Sequence, residues 1–216
     1  MLELRSINKN FYSKKSIKLL RNKKREVLID LDLKINDKDF AVISGKNGSG
    51  KTTLLRLIKG LTNPNNGNII FNNTSQEQVS LVSQNMRSFF LNLTVNENLL
   101  FFRDINLNKN KDVLYELMDE FEISELKNEE ISALSSGQLK RISIVRALLN
   151  SPEIILFDEV TNTLDHYYIE ILLKYLSKLL TSKQKLAVIW VTHQIDEVND
   201  FEFTHHRMKQ GKLVRV

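Results

Sequence analysis

The 216-residue chain contains no cysteine, only two prolines, seven glycines and one tryptophan, and no long unbroken apolar run. Without cysteine there can be no disulfide framework and no thiolate metal site, which suits a reducing compartment. Pro64 and Pro152 stand far apart and no Pro/Gly-rich linker or low-complexity tract occurs, so a single domain over residues 1–216 is the simplest organisation. No stretch approaches the ~18 apolar residues needed to cross a bilayer. The opening MLELRSINKN alternates where a secretory signal would be continuously apolar. A cytoplasmic protein is expected.

Acidic residues are the minority: the formal net charge is +5, and Lys14 to Arg25 holds seven Lys or Arg and no acid. A second basic stretch, HHRMKQGKLVRV, ends the chain. Such clusters can meet nucleic acid or an anionic leaflet, but a solvated hairpin explains them equally simply, and no nucleic-acid role is built on them.

What is present is patterned. LELRSI and VLIDLDLKI alternate, the latter aligning Ile29, Leu31, Leu33 and Ile35, and predict two half-buried strands. FAVISG reads as a buried strand, TTLLRLIKG as a helix ending at Gly60, Asn66-Gly67 as a turn before a strand NIIF, and QVSLVSQ as a further strand. From Thr94, at capping-box spacing from Glu97, the period is helical to about Leu149. EIILFDE and LAVIWVTH are continuous apolar runs of the kind buried on both faces of a parallel sheet, separated by the helical YYIEILLKYLSKLL. The predicted fold is α/β with an inserted helical arm.

Residues 45–53 read GKNGSGKTT and satisfy G-x-x-x-x-G-K-[ST] between a strand and a helix, the context that the phosphate-binding loop requires. Gly45, Lys46, Asn47, Gly48, Ser49, Gly50, Lys51, Thr52 and Thr53 are therefore candidate nucleotide contacts. Glycines let successive N–H groups turn toward phosphate oxygens, Lys51 reaches the β- and γ-phosphates, and the Thr52 hydroxyl meets Mg²⁺. In IILFDEV, Asp158 and Glu159 emerge at the C-terminal end of a buried strand, where open α/β sheets bind ligands. Asp158 suits the metal and Glu159 the attacking water. His193, after AVIWVT, could orient that water, and Gln84, ending QVSLVSQ, could reach metal or water. Either alone would be an ordinary polar residue at a strand end.

The stretch ALSSGQLKR, Ala133 to Arg141, sets small residues ahead of an amphipathic helix, where they could simply cap it. Taken with GKNGSGKT, Gln84, IILFDE, NTLD and His193, in that order along essentially the whole chain, LSSGQ makes the sequence resemble the ATP-binding cassette ATPases of ABC transporters. The resemblance implies a P-loop NTPase core with a mixed, mainly parallel sheet, an antiparallel β subdomain and a helical subdomain over about 85–150. It implies an Mg²⁺-dependent ATPase with ATP and Mg²⁺ as cofactors, Glu159, His193 and Lys51 in catalysis, and Thr52, Gln84 and Asp158 at the metal.

By the same resemblance, two cassettes, identical or not, pair head to tail. Ser135, Ser136, Gly137 and Gln138 of one contact the ATP held by the other, and Asp165 of the D-loop meets the partner's site. Phe11 or Tyr12 would stack on adenine. A separate integral membrane subunit is implied, with the cassette peripheral on the inner face of the membrane. Phe89, Phe90 and Leu91 either line its docking groove or fill the core under the helical arm. LTVNENLLFF is closer to small exporter cassettes than to importers; an importer subunit, or a soluble member acting on DNA, ribosomes or a biosynthetic scaffold, is the alternative. Two positions depart from the pattern: Ser136 replaces the second signature glycine, and Val160 stands where proline usually follows the glutamate. Were Ser136 held at positive φ, the strain would be about 1–2 kcal/mol.

Overall fold

FAVIS, IILFD and AVIWV become strands buried at every residue: β3 (Phe40–Ser44), β6 (Ile154–Asp158) and β7 (Ala187–Val191). In the computed structural model, which describes residues 1–13, 23–83, 89–105, 111–182, 185–198 and 201–216, they form the centre of a six-stranded sheet. Its other strands are β5 (Val79–Val82), β8 (Thr204–Lys209) and β9 (Lys212–Arg215), in the order β5-β6-β7-β3-β8-β9. All neighbours are parallel except β8 and β9, which close as an antiparallel hairpin.

Strand side chains alternate between faces, so each central strand feeds two cores. Ala41, Ile43, Leu156 and Ile189 pack toward α1 (Lys51–Ile58) and a three-stranded antiparallel sheet. Val42, Phe157 and Trp190 pack toward the opposite, helical core. That core gathers α2 (Val95–Ile105), α3 (Lys111–Glu120), α4 (Ser136–Leu148) and α5 (His166–Thr181). The expected capping box forms before α2: the Thr94 N–H donates to the Glu97 carboxylate at 2.8 Å and the Glu97 N–H to Thr94 Oγ1 at 3.2 Å.

The antiparallel sheet, ordered β2-β1-β4, comprises β1 (Leu2–Ser13), β2 (Lys23–Ile35) and β4 (Asn66–Phe71). Here two expectations are corrected. Strict alternation places Ile29 on the buried face, whereas Leu28 is fully buried and Ile29 is not. The cause is a bulge: Asp30 sits at φ 45°, the register with β1 shifts there, and the phase of the strand flips. Asn66-Gly67 is likewise not a turn but the start of β4, beside another register shift. Gly67, at φ 90°, allows close strand approach, since a Cβ would stand 2.4 Å from the Ser6 carbonyl oxygen.

Candidate functional site

The segment between β3 and α1 curls over the C-terminal edge of the parallel sheet. Gly50 has φ 115°, and a Cβ there would fall 2.8 Å from both Leu28 Cδ2 and the Val27 carbonyl oxygen, so no larger residue fits. No side chain caps α1 and its first turn carries no acid. Its N–H groups and partial positive charge therefore face the loop, ready for an anion.

Lys51 is buried, its ammonium donating to the Gly45 carbonyl at 2.7 Å and the Lys46 carbonyl at 3.3 Å and lying 3.3 Å from Glu159 Oε1. The Thr52 hydroxyl donates to Asp158 Oδ1 at 3.1 Å. Burial pushes the Asp158 carboxyl above its ordinary range, against the opposing effect of the Thr52 hydrogen bond. A hydroxyl and a carboxylate at this separation are hard oxygen donors of the kind Mg²⁺ takes, with substrate phosphates supplying the remainder. Among the described residues no cluster of three or more His, Asp or Glu could hold a metal by itself.

Glu159 adopts a left-handed conformation, φ 48° and ψ 47°, uncommon for a residue with a side chain and costly by about 1–3 kcal/mol. Its N–H donates to the Val191 carbonyl at 3.0 Å, and Asn162 Nδ2 donates to Oε2 at 3.0 Å. Both carboxylate oxygens are thus engaged, one by Lys51 and one by Asn162. The side chain after Glu159, Val160, is fully buried in the helical core, a place that no proline is needed to fill.

Phe11, Arg25 and Val27 from the β1–β2 ribbon face Asn47, Gly48 and Gly50 across a cleft of about 420 Å³, which Lys51, Thr52, Thr53 and Glu159 also line. Phe11 lines this cleft and Tyr12 does not, because consecutive strand residues point to opposite faces. Tyr12 is 60% exposed. His193 is not at a strand end, since β7 stops at Val191. It is exposed and lines an adjoining cleft that shares Asn47 and Gly48 with the first, beside Gly45, Lys46, Ser49 and Arg207. Its ring meets the Gln194 amide at 3.4 Å, and no hydrogen bond or ion pair joins it to Glu159. Gln84 lies outside the described residues, as does most of the basic run. Immediately before it, the buried Lys140 of α4 donates to the Ser83 carbonyl at 2.8 Å.

At the head of α4, Ser135 is the N-cap at φ −68°. Gln138 N–H donates to Ser135 Oγ at 3.3 Å and Ser135 N–H to Gln138 Oε1 at 2.8 Å, a complete capping box. Ser136 is the first helical residue and is absent from the positive-φ positions, so its substitution for glycine is unstrained. Ser135, Ser136 and the Asp165 side chain are exposed. A Cβ on Gly137 would lie 3.4 Å from the Thr163 carbonyl oxygen, so this helix start and the D-loop abut. Behind them, Arg141 caps the end of α3 by donating to the Phe121 and Glu122 carbonyls, at 3.2 and 2.7 Å, and stacks 4.0 Å over the ring of Tyr168.

Phe89, Phe90 and Leu91 divide between the two expectations. Phe89 is buried beneath the Arg146 guanidinium, 4.2 Å away, whose pKa burial pushes down to about 10. Phe90 and Leu91 are 45% and 58% exposed, and Phe90 meets the half-exposed Phe101 edge to face at 4.8 Å.

The model of the ABC transporter family matches residues 28–162. Over 202 residues the chain is 34% identical to the energy-coupling factor transporter ATP-binding protein EcfA of Malacoplasma penetrans, covering 88% of this chain and 70% of that protein. It is 32% identical to the sulfate/thiosulfate import ATP-binding protein CysA of Synechocystis, covering 88% of this chain, and 30% identical to the spermidine/putrescine import ATP-binding protein PotA of Aggregatibacter actinomycetemcomitans, covering all of it. It spans only 56% and 57% of those two proteins. Among solved structures, the dimeric ATP-binding cassette MJ0796 bound to ADP and Pi superposes with a TM-score of 0.84 at 26% identity, covering 100% of this chain and 97% of that one.

Proposed function

The chain belongs to the ABC transporter family of ATP-binding cassettes and is an ATPase, and from that premise we propose that residues 1–216 act as one domain powering transport through a membrane subunit. The observation that carries the reading is convergence: Lys51, Thr52 and Glu159, distant in sequence, line one cleft beside an open helix N-terminus, and Asp158 accepts the Thr52 hydroxyl's hydrogen bond from the adjoining pocket.

In the proposed mechanism, Phe11 stacks on adenine and the loop from Gly45 to Thr53 wraps the phosphates. Lys51 turns from the Gly45 and Lys46 carbonyls toward the β- and γ-phosphates, which releases Glu159 Oε1 to accept a hydrogen bond from the attacking water. Asn162 keeps the carboxylate aimed through Oε2. Thr52 and Asp158, with Gln84 by the resemblance, would hold Mg²⁺, which when bound would neutralise charge on the terminal phosphate. His193 reaches the γ-phosphate from the adjoining cleft. The head of α4 and Asp165 complete the site of a second cassette, a copy of this chain or a related one; the similar cassette MJ0796 is itself dimeric in its solved structures. ATP favours the closed pair, hydrolysis reopens it, and differential affinity supplies the coupling.

Among the described residues no helix is long and apolar enough to cross a membrane. By the transporter names of its relatives, the proposed location is peripheral, on the cytoplasmic face, with exposed Phe90, Leu91 and Phe101 receiving the membrane subunit. Direction belongs to that subunit: the LTVNENLLFF pattern argues for export, while the import and energy-coupling names of the relatives argue for import. Co-purification from membranes tests the assignment. A Phe90→Asp/Leu91→Asp variant should keep ATP binding and lose the membrane partner; ATPase stimulation by DNA or ribosomes, without such a partner, would favour a soluble role.

A further inference from the structure

Arg25, which in sequence merely ends a basic run, stands on the nucleotide cleft. It pairs directly with Phe11 across the β1–β2 ribbon, so both side chains leave the same face, with Cβ atoms about 5 Å apart. Val27 follows on that face two residues later, and all three line the cleft. Arg25 Nη2 lies 3.7 Å from where a Cβ on Gly48 would stand, so the guanidinium reaches over the middle of the phosphate loop, while the Phe11 ring carries the Lys9 ammonium 5.2 Å from its centre. The neighbouring Glu26 carboxylate is paired with Lys24 at 2.8 Å, and Arg25 has no ion-pair partner among the described residues.

A guanidinium is a planar fork of N–H donors that matches two phosphate oxygens at once, and it stays charged at any working pH. Stationed between the aromatic ring and the loop, it is placed for the inner part of a polyphosphate, whereas Lys51, Thr52 and Glu159 serve the terminal part. We propose that Arg25 is a phosphate-binding residue that grips the α- and β-phosphates of the nucleotide whose base rests on Phe11. The proposal rests on the assignment of this cleft to ATP. It makes the ribbon a two-part clamp, one residue for the base and its cross-strand partner for the phosphates.

Calorimetric titration of the whole chain, as wild type, Arg25→Met and Arg25→Lys, with Mg-ATP, Mg-ADP and adenosine tests it. Arg25→Met should weaken ATP and ADP alike, by roughly tenfold, and leave adenosine within about twofold. Arg25→Lys should recover part of the loss, since it restores charge without the fork, and the loss should shrink as salt rises. Equal weakening of all three ligands would show that Arg25 only shapes the ribbon, and loss confined to ATP would move its contact to the γ-phosphate. Either result, or no change, overturns the proposal. A wild-type chain that binds no ATP overturns the cleft assignment with it.

Discussion

The phosphate loop and the head of α4 are both small-residue turns opening a helix, yet their hydrogen bonding is opposite. Around the loop, Lys51 pairs with Glu159 and Thr52 with Asp158 across long sequence separations, and Lys51, Thr52 and Glu159 line a cleft. At α4, Ser135 and Gln138 satisfy each other locally and the surface beyond them is exposed. In the proposed function the first turn holds a ligand within the chain. The other is satisfied on its own side and presents an exposed outward face, as the proposed half-site for another molecule's ligand would. A Cβ on Gly137 would stand 3.4 Å from the Thr163 carbonyl oxygen, so this helix start and residues 162–165 lie side by side.

Breaking the two regions should therefore give different phenotypes. The largest effects belong to the cleft. Lys51→Ala should weaken ATP binding about 100-fold in an equilibrium titration, through loss of its charge-assisted contacts. Glu159→Gln should lower kcat by about 10²–10⁴ while ATP affinity stays within a few-fold. At the other region, Ser135→Ala should leave ATP affinity of the chain unchanged, reduce turnover and lower stability by about 1 kcal/mol through loss of the cap, read by denaturant unfolding.

Smaller effects sharpen the picture. Phe11→Ala should weaken ATP about tenfold and Tyr12→Ala by less than about twofold, a contrast that separates the base wall from its exposed neighbour. Asp158→Asn supplies a pH signature. Because burial raises the folded-state pKa of Asp158, the wild type loses stability from this group as pH rises through the carboxylate range, and the variant does not. The stability advantage of Asp158→Asn should grow over that window and level off above it, while ATP hydrolysis falls. The smallest change is Ser136→Gly: no strain is relieved at a helical φ, so turnover should hold within about twofold and stability fall by about 0.5–1 kcal/mol.

Where chemistry is written in contiguous motifs, sequence was enough. GKNGSGKT, IILFDE and the capping spacing of Thr94/Glu97 each specify local geometry and appear where expected, and the small residues from Ser135 do cap a helix. What escaped depended on partners distant in the chain or on small backbone irregularities. Bulges at Ser6 and Asp30 are single residues at positive φ that alternation cannot register, and they move the buried face from Ile29 to Leu28. That Phe11 and not Tyr12 lines the cleft follows from the ribbon's register, in which Phe11 stands opposite Arg25. Arg25 was hidden by its basic neighbours, and its register opposite Phe11 is the signal that distinguishes it. Asn162 was legible only as part of NTLD, since its bond to Glu159 depends on the left-handed turn at that glutamate. The benign character of Ser136 came from one backbone angle.

The most direct test of the two-region contrast is sedimentation of Glu159→Gln, with and without Gly137→Asp, at saturating Mg-ATP. The single variant should move from monomer to dimer mass on adding ATP, and the double variant should bind ATP equally well yet remain monomeric. A single variant that stays monomeric at saturating ATP, or a double variant that dimerises as readily, would contradict the assignment of α4's head to a second cassette's nucleotide.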